Sequence, residues 1–136
     1  MTLVPDALDM TVQHIDDRTA IVVVAGDVDL HTAVSLRAYV VALLNRDVRH
    51  LVLDLAGVEY VDSSGLSTLV VLLHAAREHG GSLRVAEVPE RLMRMLTMTG
   101  ISEVLPVHRT VTDAVAAAGT ADGSANAAGD AGGTPG

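Results

Sequence analysis

The chain contains no cysteine, lysine, phenylalanine or tryptophan, and its only aromatic residues are Tyr39 and Tyr60. Without cysteine the chain can form no disulfide, no thiolate metal site and no cysteine nucleophile. Without lysine it lacks the residue with which a P-loop holds phosphates, so P-loop nucleotide hydrolysis is excluded. No apolar run approaches the roughly 20 residues of a membrane-spanning helix, and residues 1–10 lack the basic cluster of a signal peptide. We therefore expect a cytoplasmic protein with no cofactor and no contact with a membrane.

Positive charge is also scarce, because nine arginines face 17 acidic residues and the formal net charge is −8. Nucleic-acid backbones require a basic face, which these scattered arginines do not form. Single-stranded nucleic acid additionally requires aromatic side chains for base stacking, and they are missing. Nucleic acid is therefore not an expected partner.

The 136 residues suffice for one domain with a modest aliphatic core. Apolar spacing predicts an α/β fold, in which a mixed sheet of four to five strands packs against about four helices. The predicted strands are 11–15, 20–25, 50–55, 82–86 and a short edge strand at 104–107. The first predicted helix begins at residue 31 and ends near 45–47. Three further helices are predicted at 66–76, 89–99 and 111–118. The first two strands form a hairpin, and residues 26–29 are expected to break the second strand.

The composition changes abruptly after residue 118. Residues 119–136 contain only small or polar residue types and proline, so nothing there could anchor in a core. We predict a folded domain over 1–118 and a disordered, acidic, Gly/Ala-rich tail over 119–136.

The most informative motif is Asp62-Ser63-Ser64-Gly65, which lies between a predicted strand and a predicted helix. A phosphate added here would meet unpaired backbone N–H groups and the positive end of the helix dipole. By itself, however, the motif favours helix capping, by Ser63 or by Asp62, over phosphorylation. Asp29 or Thr32 could cap the preceding helix in the same manner.

Catalytic and metal-binding alternatives have little support. The Gly-x-Ser-x-Gly nucleophile elbow is absent, so a hydrolase that uses Ser63 is disfavoured. His74 and His79 are not spaced as a helical zinc pair, and the His-Glu-x-x-His arrangement is missing. We therefore predict that the chain is not an enzyme and holds no metal.

Three blocks of sequence carry a resemblance to a known family. The segment 61–66 follows a strand and opens a helix, the segment 26–33 lies upstream, and Gly100-Ile101-Ser102 leads into 104–107. In this order and spacing the blocks resemble STAS-domain proteins, and most closely the anti-sigma factor antagonists of bacterial partner-switching systems. The similarity covers about residues 10–118.

This resemblance implies a STAS fold and a regulatory function. The unmodified antagonist binds an anti-sigma factor, a serine kinase of the GHKL type, and thereby releases a sigma factor. The kinase then phosphorylates the first hydroxyl residue after the motif aspartate, which here is Ser63, and binding ends until a PP2C-type phosphatase resets the protein. Partner contacts are implied at Asp29, Asp62, Ser64 and Gly65. The alternative is a non-catalytic STAS adaptor or structural subunit of a signalling or transporter complex.

Overall fold

The computed structural model describes the backbone of residues 8–127 and the side chains up to Gly119. It contains five strands, four α-helices and a short 3-10 helix. The strands are β1 (Asp9–His14), β2 (Thr19–Val28), β3 (His50–Val61), β4 (Ser82–Ala86) and β5 (Val107–His108). The helices are α1 (Thr32–Leu44), α2 (Ser63–Glu78), α3 (Glu90–Met98) and α4 (Val111–Ala127), with the 3-10 helix at Ile101–Glu103.

The strands form a single sheet in the order β1-β2-β3-β4-β5. β1 is antiparallel to β2, as the predicted hairpin requires, and the following neighbours are parallel. The hairpin turn is closed by the amide of Ile15, which donates to the carbonyl of Thr19 at 2.8 Å. The predicted mixed sheet with helical crossovers is confirmed.

Alternation along the strands separates two apolar layers. Val22, Leu51, Leu53 and Leu83 face a large core that α1, α2 and α3 complete. On the opposite face Ile21 and Val52 belong to a smaller cluster that includes Ala114 of α4. The two layers bury both faces of the central strands, which explains why β3 begins as a nearly continuous apolar run.

Two predicted strand ends are wrong, because β2 and β3 both continue to the same edge of the sheet. β2 passes residue 25 and reaches Val28 through register shifts around Gly26, whose φ of 113° favours glycine. β3 passes Leu55 in the same way, and its Gly57 pairs with Ala25. A Cβ at Gly57 would lie 2.8 Å from the Cβ of Ala25, so the close strand contact requires glycine there. These glycines mark irregularities within strands and not strand ends.

The helix ends after α2 and α3 follow the sequence more closely. Gly80 has φ 80°, its amide donates to Arg77, and the amide of Gly81 donates to Ala76 at 2.8 Å. This is the glycine-terminated helix end that the Gly-Gly pair predicts. α3 begins after Pro89 and ends before Thr99, as expected.

The C-terminal elements differ from the prediction in their bounds. The last strand is Val107–His108 and not 104–107, because residues 101–103 form a 3-10 helix. α4 does not end at Ala118 but continues to Ala127, into the segment predicted to be disordered. Residues 128–136 lie outside the described residues, and the domain boundary at 118 stays a prediction.

Across residues 8–127, no helix combines the length and the apolar character needed to cross a bilayer.

Candidate functional site

The carboxyl ends of β2 and β3 bring two aspartates to the same edge of the sheet. Val28 pairs with Val61 at the end of the parallel ladder. The next residue of β3, Asp62, donates its amide to the carbonyl of Val28 at 3.3 Å. Asp29 and Asp62 therefore lie in neighbouring loops, each leading into a helix. This edge of a parallel sheet is where α/β proteins commonly bind their ligands.

Asp62 is the N-cap of α2. Its backbone is extended, with φ −104° and ψ −172°, and its Oδ1 accepts a hydrogen bond from the amide of Gly65 at 3.0 Å. The carbonyl of Asp62 accepts from Leu66 at 3.0 Å, which closes the first turn. The capping interpretation of Asp62 is thus confirmed, and that of Ser63 is wrong.

Ser63 is the first residue of α2 and is exposed, whereas Ser64 is half-buried. Among the described residues, neither hydroxyl forms a side-chain hydrogen bond. Among residues 8–119, no histidine or acidic side chain is hydrogen-bonded to Ser63 Oγ, the arrangement that typically activates a serine nucleophile.

Gly65 is buried and allows α2 to approach the sheet. A Cβ at this position would lie 2.5 Å from the carbonyl oxygen of Val28 and 2.8 Å from Cγ1 of Val61. Any larger residue would push the start of α2 away from the sheet edge. Gly65 therefore has a packing role beneath the site, and its predicted contact with a partner stays a prediction.

The loop after β2 is held by two reciprocal hydrogen bonds. Asp29 Oδ1 accepts from the amide of Thr32 at 3.0 Å, and Thr32 Oγ1 accepts from the amide of Asp29 at 2.9 Å. The amide of His31 also donates to Asp29 Oδ1, at 2.9 Å. The hydrogen bond from the Thr32 amide is the main reason that the pKa of Asp29 lies below its usual value. The N-cap residue of α1 is His31, which forms no side-chain cap hydrogen bond, so neither Asp29 nor Thr32 is the N-cap; together they hold the loop before the helix, and Asp29 remains ionised at neutral pH.

Ser63 lies between two surface clefts that have apolar walls. The first, of about 310 Å³, separates α1 from α2 and is flanked by Leu30 and Val34, whose exposed fractions are 66% and 69%. The second, of about 500 Å³, separates α2 from the turn after α3 and includes Val71 and Ile101. Apolar side chains concentrated on a surface in this way are typical of protein-binding sites.

The described residues contain no group of three or more histidine or acidic side chains placed to hold a metal ion. One ring nitrogen of His79, Nδ1, lies 2.9 Å from the carbonyl oxygen of Ala75 in its own helix. His79 thus contacts the backbone at the end of its own helix. His74 is exposed on the surface of α2.

The STAS domain family model matches residues 10–114, and the chain belongs to that family. Two similar relatives are an anti-sigma-B factor antagonist from Bacillus subtilis and an anti-sigma F factor antagonist from Paenibacillus polymyxa. The first is 33% identical over 86 residues, covering 62% of this chain and 76% of the relative. The second is 29% identical over 96 residues, covering 70% of this chain and 82% of the relative.

Among solved structures, the crystal structure of an anti-sigma factor antagonist from Mycobacterium paratuberculosis is similar over nearly its whole length. It superposes with a TM-score of 0.75 at 28% identity, covering 85% of this chain and 97% of that protein. The predicted STAS fold and the predicted resemblance are both confirmed.

Sequence reasoning missed the α1 side of the site. Leu30, Val34 and Arg37 line the first cleft together with Ser63, although they lie in a separate part of the sequence. The available signal was the spacing of three and four residues on a predicted helix, which places Leu30, Val34 and Arg37 on one face.

Proposed function

We propose that the chain is an anti-sigma factor antagonist that phosphorylation of Ser63 switches off. The unmodified form binds an anti-sigma factor, and a sigma factor is released. The observation that carries this proposal is the exposed Ser63 hydroxyl, left without a hydrogen bond because Asp62 caps the helix. The similarity to antagonists of anti-sigma factors supports the choice of partner.

Exposure favours Ser63 over Ser64 as the acceptor. A kinase must bring the γ-phosphate of ATP in line with the attacking hydroxyl, and this requires an accessible side chain. Ser63 is exposed at the first helical position, whereas Ser64 is half-buried. Asp62 stands next to the acceptor, and its Oδ1 accepts the Gly65 amide; we assign the base that activates Ser63 to the kinase.

The transfer itself belongs to the partner's active site. Ser63 Oγ attacks the γ-phosphorus of ATP, a new O–P bond forms, and the bond from that phosphorus to the bridging oxygen of ADP breaks. The hydroxyl proton passes to a base of the kinase. We assign the kinase to the GHKL type and the resetting enzyme to the PP2C type, which hydrolyses the phosphoserine. All of these steps take place in the cytoplasm.

The phosphate weakens binding through its charge. Phosphoserine adds about −1.5 to −2 charges at neutral pH. It does so at a sheet edge that already carries Asp29 and Asp62, and between two clefts with apolar walls. A partner that covers this surface must either desolvate the phosphate or withdraw. A loss of about 3 kcal/mol corresponds to roughly a hundredfold weaker binding.

The proposed docking surface consists of Asp29, Asp62, Ser63 and Ser64 together with the apolar walls of the two clefts. Gly65 supports this surface from beneath. The fold need not change on modification, because the amino end of α2 tolerates negative charge.

The direct test incubates the protein with its anti-sigma factor and ATP and maps phosphate by mass spectrometry. We expect one phosphate on Ser63, none in Ser63→Ala, and normal labelling in the matched control Ser64→Ala. Labelling of Ser63→Ala to the wild-type level would contradict the assignment.

A binding measurement tests the switch separately. Ser63→Asp should bind the anti-sigma factor at least tenfold more weakly than wild type, whereas Ser35→Ala, at an exposed position of α1 that lines neither cleft, should bind normally. Unchanged binding of Ser63→Asp and of the phosphorylated protein would contradict the switch. The alternative function, a STAS adaptor or structural subunit, predicts neither phosphorylation nor anti-sigma factor binding.

A further inference from the structure

The cleft between α1 and α2 contains one charged residue, Arg37. Eight residues line this cleft of about 310 Å³, which lies directly beside Ser63. They are Leu30, Ala33, Val34 and Arg37 on the α1 side, and Ser63, Ser64, Ser67 and Thr68 on α2. One wall is therefore apolar apart from Arg37, and the other wall is formed entirely by hydroxyl-bearing residues.

Arg37 is not paired with an acidic side chain in the described part of the chain. α1 contains no Asp or Glu from Thr32 to Leu44, so Arg37 has no carboxylate three or four residues away on its own helix. In α2, which forms the facing wall, the only acidic residue is Glu78 at the far end. Within residues 8–127 Arg37 forms neither a side-chain hydrogen bond nor an ion pair. Other arginines of the described residues also lack such a partner, but of the nine only Arg37 lines the cleft that contains Ser63.

We propose that the phosphate on Ser63 turns into this cleft and is bound by Arg37 of the same molecule. The inference rests on the proposed function, since it concerns the modified form of Ser63. A planar guanidinium can give two parallel N–H bonds to phosphate oxygens, which makes arginine well suited to this task. Ser67 lies one helical turn from Ser63 on the same wall and adds a hydroxyl donor.

Binding of the phosphate by Arg37 changes which side chains of the docking surface a partner can contact. Arg37 is exposed in the unmodified protein and is available to a partner's carboxylate. Once it holds the phosphate, it is withdrawn from that contact, and an ion pair lies between the apolar wall and the hydroxyl-bearing wall of the cleft. A single modification therefore changes both α1 and α2 at the docking surface without moving the backbone.

The test measures how tightly the phosphate is held. Phosphoserine is introduced at position 63 during translation, so no kinase is required, and phosphorus NMR follows its second ionisation with pH. A neighbouring arginine favours the dianion, so the wild-type midpoint should lie below about 6, the ordinary value. Arg37→Gln should raise the midpoint above the wild-type value, leaving only the effect of the α2 amino end, whereas Arg37→Lys, which keeps the charge, should leave it lowered.

The matched control is Arg46→Gln, which removes the same charge from an exposed position after α1 that does not line the cleft. Its midpoint should equal that of wild type. Equal midpoints in wild type and Arg37→Gln would overturn the proposal, whether both are ordinary or both are lowered. Failure of the kinase to label Ser63 would instead contradict the proposed function, and the two results are distinguishable because the NMR experiment uses no kinase.

Discussion

Gly65 offers a sharp test of how α2 is positioned, because the substitution Gly65→Ala adds a single methyl group at a crowded point. The new Cβ would lie 2.5 Å from the Val28 carbonyl oxygen, 2.8 Å from Cγ1 of Val61 and 3.0 Å from Cγ1 of Val28. The nearest of these atoms belongs to the backbone, so the helix start must shift. Overpacking of this kind costs about 1–3 kcal/mol.

Helix propensity opposes this cost, because alanine is favoured over glycine by about 1 kcal/mol within a helix. Because the 2.5 Å contact is with a backbone atom, we place the overpacking cost in the upper part of its range, at about 2–3 kcal/mol. We therefore expect Gly65→Ala to lose about 1–2 kcal/mol of unfolding free energy in urea, and several degrees of Tm. The matched control is Gly119→Ala in α4, where an added Cβ meets nothing within 4 Å. That variant should be as stable as wild type, or more stable by up to about 1 kcal/mol. If Gly65→Ala matched or exceeded wild-type stability, the close approach of α2 to the sheet would be refuted.

Three further predictions concern the residues around the sheet. Asp62→Ala should lose about 1 kcal/mol of unfolding free energy in urea because the Gly65 amide loses its acceptor. Asp62→Asn should retain most of the wild-type stability, since asparagine also caps helices. Equal stability of wild type, Asp62→Ala and Asp62→Asn would contradict the cap. For Asp29, the Thr32 amide lowers the carboxyl pKa below 3.8, so its stabilisation is complete above that pH and is lost as pH falls through the lowered folded value. Urea unfolding between pH 5 and about 2.5 should show a shallower decline in Asp29→Asn than in wild type, and parallel curves would contradict this. For His108, burial is the main cause and the charge of Arg84 the second cause of a pKa below 6.5. As pH drops through 6.5 the unfolded chain binds a proton that the folded chain does not, so stability falls. A proton NMR titration should place its midpoint below 6.5 in wild type, and a midpoint at or above 6.5 would contradict the environment described.

Local signals in the sequence predicted most of the fold. The hairpin before residue 26, the helices and the Gly80-Gly81 helix end all depend on spacing and turn chemistry that neighbouring residues supply. The ends of β2 and β3 were missed because Gly26 and Gly57 resemble breaks when viewed locally. Their role is visible only when the two strands pair, since the Gly57 contact is with Ala25 of the other strand.

The site was predicted along its α2 wall but not along its α1 wall. Asp62 and Ser63 occupy consecutive positions, so the sequence alone placed them at one helix start. Arg37 reaches the same cleft only because β2 and β3 are adjacent and parallel, which carries α1 and α2 to the same side of the sheet. That neighbourhood is a property of the topology and not of any local pattern.

The strand order also has a consequence for how the chain assembles. Each strand lies beside the strand that precedes it in the sequence, so no later strand has to insert between two that are already paired. The walls of the cleft beside Ser63 end at Thr68, within the first half of the chain. During synthesis, which proceeds from the amino end at about 5–20 residues per second, every residue of that cleft leaves the ribosome before β4 does. The cleft between α1 and α2 is therefore complete in the chain before β4 is made, whereas the second cleft beside Ser63 also needs Ile101, which follows β4.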